Sequence, residues 1–164
     1  MTSNIQPEVF IKMVLSNWEL QNKRLNDLLN NLTDEQLAPE TAPGRNTGTY
    51  LLGHLIAVND AISPLLNVGD KLYPQLYEIF VEKPDKSGQK FPPVSELKMY
   101  WKKVSETLHE HFNNMPIEEW FKRHMSVSEE DFAKEPYRNK LNVVINRTNH
   151  QSYHIGQIAY LQQR

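Results

Sequence analysis

The sequence predicts an all-α protein, and three observations lead to this fold class. Apolar residues recur at helical spacing in four segments, and no stretch alternates apolar and polar residues for long enough to require a sheet. A long irregular connection separates the second segment from the third. We therefore expect a four-helix bundle with helices of roughly 18 to 25 residues and a long crossover between helices 2 and 3. Residues 1–164 are expected to form a single domain.

The first helix is expected to begin at Pro7, where the missing N–H of proline costs little. Its apolar stripe includes Trp18, which we expect to lie in the core. Residues 33–36 have the composition of a capping box that starts a short helical turn. The loop over residues 38–48 has two prolines and two glycines but lacks the Gly-Lys-Ser/Thr ending of a phosphate-binding loop.

The second helix is expected to begin beside Thr47 or Thr49, either of which can cap it. Pro64 is expected to kink or end this helix. His54 lies on its apolar stripe. A single histidine on an apolar face suits a core residue that donates to a backbone carbonyl as well as it suits a metal ligand, so His54 alone decides nothing.

The third helix is expected to be capped by Ser95. His111 falls near its apolar stripe and is a reserve candidate for a pocket, whereas His109 points elsewhere. We expect His109 and His124 to face solvent. Residues 140–163 have the composition of a fourth helix, which closes the chain.

The fourth predicted helix carries His150 and His154 one turn apart. At 3.6 residues per turn they lie about 40° apart on one face and about 6 Å apart along the axis. Both imidazoles can therefore bind one metal ion from the same side. Neighbouring apolar residues turn this face towards the interior, where two unpaired imidazoles would be costly and a metal ion would satisfy both.

Composition excludes several classes of partner and chemistry. The net charge of −2 argues against a nucleic-acid surface, and no apolar run approaches the roughly 20 residues of a membrane span. The first residues lack the basic-then-apolar pattern of a signal peptide, so we expect a cytoplasmic protein. Cysteine is absent, which excludes disulfides, cysteine zinc sites and a cysteine nucleophile. Any thiol chemistry must use an external thiol.

Other metal motifs do not fit the residues. A zincin needs His-Glu-x-x-His, and Gln151 occupies the glutamate position here. A di-iron bundle needs two Glu-x-x-His pairs, and the chain has one, at Glu106 and His109. A three-histidine site remains, with His54 from the second helix and the pair on the fourth, because these helices can face each other across a bundle.

Two motifs resemble the DinB-like (YfiT-like) metalloenzyme superfamily. They are Gly53-His54-Leu55 and His150-x-x-x-His154-x-Gly156-Gln157-Ile158-x-x-Leu161. The long helices, the crossover and the chain length are similar to that family as well, whereas residues 67–137 match it only in length and character.

This resemblance implies a four-helix bundle that binds one divalent metal ion, zinc, nickel or iron, and that often forms a homodimer. The metal ligands implied are His54, His150 and His154. Some relatives are transferases or isomerases that use a low-molecular-weight bacterial thiol, and others have no known activity.

Three neutral imidazoles would leave a divalent ion with an open coordination position. Since the resemblance implies relatives that use a small thiol, the expected function is transfer of an external thiol to an electrophilic small molecule. Hydrolysis by a metal-bound hydroxide would use the same three ligands. Binding of a metal ion or small molecule without turnover, and a metal-free dimeric scaffold, are further alternatives that the sequence leaves open.

Two more residues are candidates for this site. Arg147 lies one turn before His150 and can contact an anionic group of a substrate, or it can be an ordinary surface charge. Gln157 lies three residues after His154 and can orient this ligand through a hydrogen bond, or it can only pack and pair with backbone.

Overall fold

The computed structural model describes residues 6–163, and the regular secondary structure in this range is entirely helical. The α-helices in chain order are α1 (Pro7–Asn31), α2 (Asp34–Leu37), α3 (Gly48–Asp60), α4 (Ile62–Leu65), α5 (Gln75–Tyr77), α6 (Val94–Asn114), α7 (Glu129–Lys134) and α8 (Lys140–Ala159). A π-helical turn covers Glu78–Glu82, and 3₁₀ turns cover Ile117–Phe121 and Tyr160–Gln163. The predicted all-α four-helix bundle is confirmed.

The four long helices α1, α3, α6 and α8 enclose one apolar core. Helix α1 packs along α8, and α3 packs against both α6 and α8. Trp18 is only 1% exposed, as predicted, and Trp101 and Trp120 are buried with it. Within the described range, no helix combines the length and apolar character needed to cross a bilayer.

Helix α3 is shorter than expected. It has 13 residues and ends at Asp60, and the chain then forms the separate short helix α4. Pro64 lies inside α4, so α3 does not end at it, but the helix is interrupted one turn earlier at Ala61, where Pro64 has no N–H to bond the Asp60 carbonyl, in agreement with the predicted kink. At the end of α3, the Asp60 carboxylate accepts hydrogen bonds of 2.8 Å from the backbone N–H groups of Leu72 and Tyr73. These bonds hold the start of the crossover against the end of α3.

The helix starts follow the predicted caps in two cases out of three. Residues 33–36 form the expected capping box. Thr47 caps α3 by accepting from the N–H of Tyr50, whereas Thr49 donates its hydroxyl to a backbone carbonyl. The expectation that Ser95 caps α6 is wrong, because the helix begins at Val94 after Pro93 and has no side-chain cap.

The crossover between α3 and α6 is held against α3 at its middle as well as at its start. Tyr50 donates its hydroxyl to the carbonyl of Lys83 at 2.8 Å, and Asp85 accepts from the N–H of Thr47 at 2.6 Å. Between these anchors and Asp60, the π-helical turn lies on α3. Its Phe80 side chain is fully buried.

Gly53 is the residue that allows this close approach. A Cβ atom built at Gly53 would lie 2.4 Å from the ring of Phe80, far inside van der Waals contact. A helix interior usually disfavours glycine by about 0.5–1 kcal/mol relative to alanine. Here the absence of a side chain lets the Phe80 ring pack directly against the backbone of α3.

Three buried polar side chains connect three of the long helices. Gln151 on α8 is 0% exposed; it donates to Asn22 on α1 at 2.8 Å and accepts from Asn59 on α3 at 3.2 Å. Asn59 also donates to the carbonyl of Leu55. Because an unpaired buried polar group costs about 1–3 kcal/mol, this network favours one register of α8 against its neighbours.

Replacing Gly53 with alanine is expected to lower the free energy of unfolding by about 1–3 kcal/mol, because Phe80 would have to move. Gly156→Ala on α8 is the matched control. A Cβ there would have no atom within 4 Å, so the better helix propensity of alanine should raise stability by up to about 1 kcal/mol. Urea unfolding of both variants measures the difference, and equal shifts in the same direction would contradict this packing.

Candidate metal centre

Three imidazoles from two helices converge on one point. His54 comes from α3, and His150 and His154 come from α8. The Nε2 atom of His150 lies 3.1 Å from Nε2 of His54 and 3.1 Å from Nε2 of His154. One ring nitrogen from each residue lies within 4.8 Å of the others, and all three side chains are partly exposed.

Hydrogen bonds on the far side of two rings decide which nitrogen carries the proton. Nδ1 of His54 lies 2.8 Å from the carbonyl oxygen of Phe80, which can only accept. Nδ1 of His154 lies 2.6 Å from the amide oxygen of Gln157. Both Nδ1 atoms therefore donate, and in the neutral rings both Nε2 atoms present a lone pair towards His150.

Without a cation, the three Nε2 atoms have too few protons to form a hydrogen bond across both of the short contacts. A neutral His150 has at most one proton on Nε2, and two lone pairs compete for it. A divalent cation would accept a lone pair from each ring at once. Adjacent nitrogens are about 3.3 Å apart around a tetrahedral zinc ion and about 2.9 Å apart in an octahedral shell. Two of the three separations, both 3.1 Å, lie between these values, and ring nitrogens of all three residues lie within 4.8 Å of one another, so the group is compatible with a divalent metal ion.

A sequence profile described as the DinB superfamily matches residues 17–158. The chain belongs to the DinB superfamily. The match includes all three histidines and the second motif as far as Ile158, and it confirms the family inferred from these motifs. No curated protein matches the chain.

Burial keeps the histidines of this DinB-superfamily protein neutral. It lowers the pKa of His54 and of His154. The pKa of His150 falls to about 4, first through burial and then through the nearby charges of His154, His54 and Arg147. Because a histidine binds a metal ion through a deprotonated nitrogen, neutral imidazoles can bind an ion at neutral pH without first losing a proton.

The other histidines lie outside this group. His109 on α6 is exposed and pairs with Glu19 and Asn113. His111 lines a separate surface groove, and His124 accepts from a backbone N–H in the loop before α7. In the part of the chain that the structure describes, the possible metal ligands with this spacing are the three histidines already named.

Arg147 and Gln157, the two further candidates, both lie near the histidine group. Gln157 contacts His154 on the side away from the other rings, so its amide orients the imidazole. Arg147 is half-buried, and its Nε atom is enclosed without a hydrogen-bond partner in the described structure. The Nδ1 atom of His150 is enclosed in the same way.

Two contributors to the site were not found from the sequence. Phe80 acts through its backbone carbonyl, which every residue has, so its identity gives no signal. The useful signal was the unexplained Gly53 beside His54, since glycine inside a helix indicates close approach of another segment. In the sequence Gln151 is notable only for occupying the glutamate position of a zincin motif, yet its side chain links α8 to α1 and α3 beside His150.

In the metal-free protein, stability is expected to fall as the pH is lowered from 6.5 towards 4. In this range the unfolded chain protonates His150, whereas the folded chain keeps its pKa near 4. The unfolded state then binds more protons, so acid favours it; the destabilisation is absent above pH 6.5 and complete below pH 4. Urea midpoints across this range measure the slope. His150→Gln should flatten it, and an unchanged slope would contradict the assignment.

Proposed function

We propose that this DinB-superfamily protein is a metal-dependent enzyme that transfers a low-molecular-weight thiol to an electrophilic small molecule. The observation that carries the proposal is the convergence of three imidazole nitrogens without a fourth histidine, aspartate or glutamate in the group, among the described residues. Structural zinc sites usually have four protein ligands, whereas catalytic sites keep a position open. Three protein ligands therefore favour a catalytic metal site over a structural one.

His54, His150 and His154 would hold the ion, which we propose to be zinc, nickel or iron. Such an ion is a Lewis acid that favours the deprotonated form of a thiol bound to it. The Phe80 carbonyl and the Gln157 amide keep the ring protons on Nδ1, so that Nε2 of His54 and of His154 is free to bind. Gln157 is thus a positioning residue that acts through His154.

The sulfur must come from another molecule, because the chain contains no cysteine. Small thiols remain reduced in the cytoplasm, so the proposed activity suits a cytoplasmic protein. The partial exposure of the three histidines supports approach by a small molecule rather than by a buried side chain.

Thiol transfer can be measured directly with metal-loaded protein, a bacterial low-molecular-weight thiol and monochlorobimane, whose conjugate is fluorescent. The wild type should form the conjugate faster than the uncatalysed rate, and His54→Ala, His150→Ala and His154→Ala should lose this acceleration together with the metal. His109→Ala is the control, because His109 lies on the surface away from the group.

Gln157→Ala should keep all three ligands but bind the metal about 10–100-fold more weakly, as expected when the partner of a metal-bound histidine is lost.

Equal conjugate formation by the wild type and the three histidine variants would contradict thiol transfer. If the metal-loaded protein hydrolysed an ester in the absence of thiol and formed no bimane conjugate, the function would be hydrolysis instead of thiol transfer.

We also propose that the protein forms a homodimer through α1 and the adjoining face of α8. Phe10, Met13 and Leu20 expose large apolar side chains on α1, and Met13 is 58% exposed. Phe10 and Met13 line a shallow apolar groove together with Ile145 of α8. Exposed apolar patches of this kind are typical of protein interfaces.

Light scattering should give twice the mass of one chain for the wild type, and Met13→Glu should shift the protein towards the monomer because it would bury a charge in the interface. Met99→Glu on α6 is the matched control, since Met99 is 65% exposed and lies outside this face. A monomeric wild type, or the same shift in both variants, would contradict the homodimer.

A further inference from the structure

Arg147 is a half-buried cation near the three histidines, and within residues 6–163 no acidic side chain forms an ion pair with it. Its Nε atom is enclosed and makes no hydrogen bond within the described structure. Burial lowers its pKa, and the influence that opposes this comes from the phenol of Tyr77, not from a carboxylate. Taking a charge out of water without pairing it is costly, so a structural arginine would ordinarily have an acidic partner.

Arg147 lines an open cavity of about 350 Å³ between α4, α5 and α8. Lys71, Tyr77 and Ser126 line the same cavity, and Pro64 and Leu65 add apolar surface. Nζ of Lys71 lies 3.9 Å from the centre of the Tyr77 ring. Among the described residues that line it, two are cations, two carry hydroxyl groups and none is acidic. A cavity of this size suits a small molecule, and these polar groups suit an oxyanion.

Arg147 lies near the histidine group as well as in the lining of this cavity. Arg147 precedes His150 by three residues on α8, which is about 4.5 Å along the helix axis, and residues with this spacing are neighbours on a helix surface. Its charge is close enough to lower the pKa of both His54 and His150. A molecule with one end at the histidines can therefore place its other end near the guanidinium.

We propose that Arg147 and Lys71 bind the carboxylate or phosphate group of the small molecule that reacts at the three histidines. This inference rests on the proposed function and narrows its substrates to organic anions. The planar fork of Arg147 can donate two parallel hydrogen bonds to an oxyanion, and Lys71 adds a second positive charge. The cost of burying an unpaired guanidinium is then offset when substrate is present.

The first test compares two thiols that differ only at the distal end, 3-mercaptopropionate and 3-mercapto-1-propanol. Each is titrated into cobalt-loaded protein, and the dissociation constant is read from the thiolate-to-cobalt absorption band. The acid should bind about tenfold more tightly than the alcohol, since a charge-assisted pair is formed only with the carboxylate. Arg147→Gln should abolish this preference.

Lys71→Gln should reduce the preference for the acid over the alcohol. Because Lys71 lies outside α8, this variant tests the same site from a different segment. Lys102→Gln makes the same charge change on the exposed face of α6 and should leave the preference unchanged. Equal dissociation constants for the two thiols would overturn the anion site while leaving thiol transfer standing. The absence of a band with either thiol would contradict the proposed function itself.

The second test decides the anion site without any metal. The side-chain Nε–H resonance of Arg147 is followed by NMR in metal-free protein during addition of inorganic phosphate and, separately, acetate. A saturable shift that is weaker in Lys71→Gln supports the site, and the anion that saturates it at lower concentration identifies the preferred group. No saturable shift with either anion would overturn the proposal, whatever the cobalt titration shows.

Discussion

The candidate site depends on two hydrogen bonds that hold protons away from its centre. The carbonyl of Phe80 accepts from Nδ1 of His54, and the amide of Gln157 accepts from Nδ1 of His154. These bonds leave the lone pairs of two Nε2 atoms facing a third nitrogen 3.1 Å away. Without a cation the arrangement is electrostatically poor, because one shared proton cannot satisfy both acceptors. A divalent cation that accepted a lone pair from each ring would remove this mismatch.

The rest of the fold explains how this arrangement is held. The His54 bond requires the crossover to lie directly on α3, which the missing side chain of Gly53 allows. Asp60 anchors the crossover near its start. On the other side, Gln151 ties α8 to two further helices beside His150. Substitutions at Gly53 or Gln151 therefore affect the site through packing, although neither residue belongs to the histidine group.

Much of the fold and the three histidines could be predicted from the sequence, because helical periodicity and the one-turn spacing of His150 and His154 are local properties. The length of α3 and the start of α6 could not, since both depend on backbone contacts with the crossover and on Pro93. The role of Phe80 was equally hidden, because a backbone carbonyl has no sequence signature. Long-range contacts of this kind decide the orientation of His54, and only the structure shows them.

The central claim is that three imidazole nitrogens hold one divalent ion and leave room for a further ligand. X-ray absorption spectroscopy of zinc-loaded protein tests it most directly. We expect one zinc ion per chain with three imidazole nitrogens at about 2.0–2.1 Å and at least one further ligand atom that does not come from an imidazole. Failure to bind zinc stoichiometrically, or a shell with fewer than three imidazoles, would contradict it.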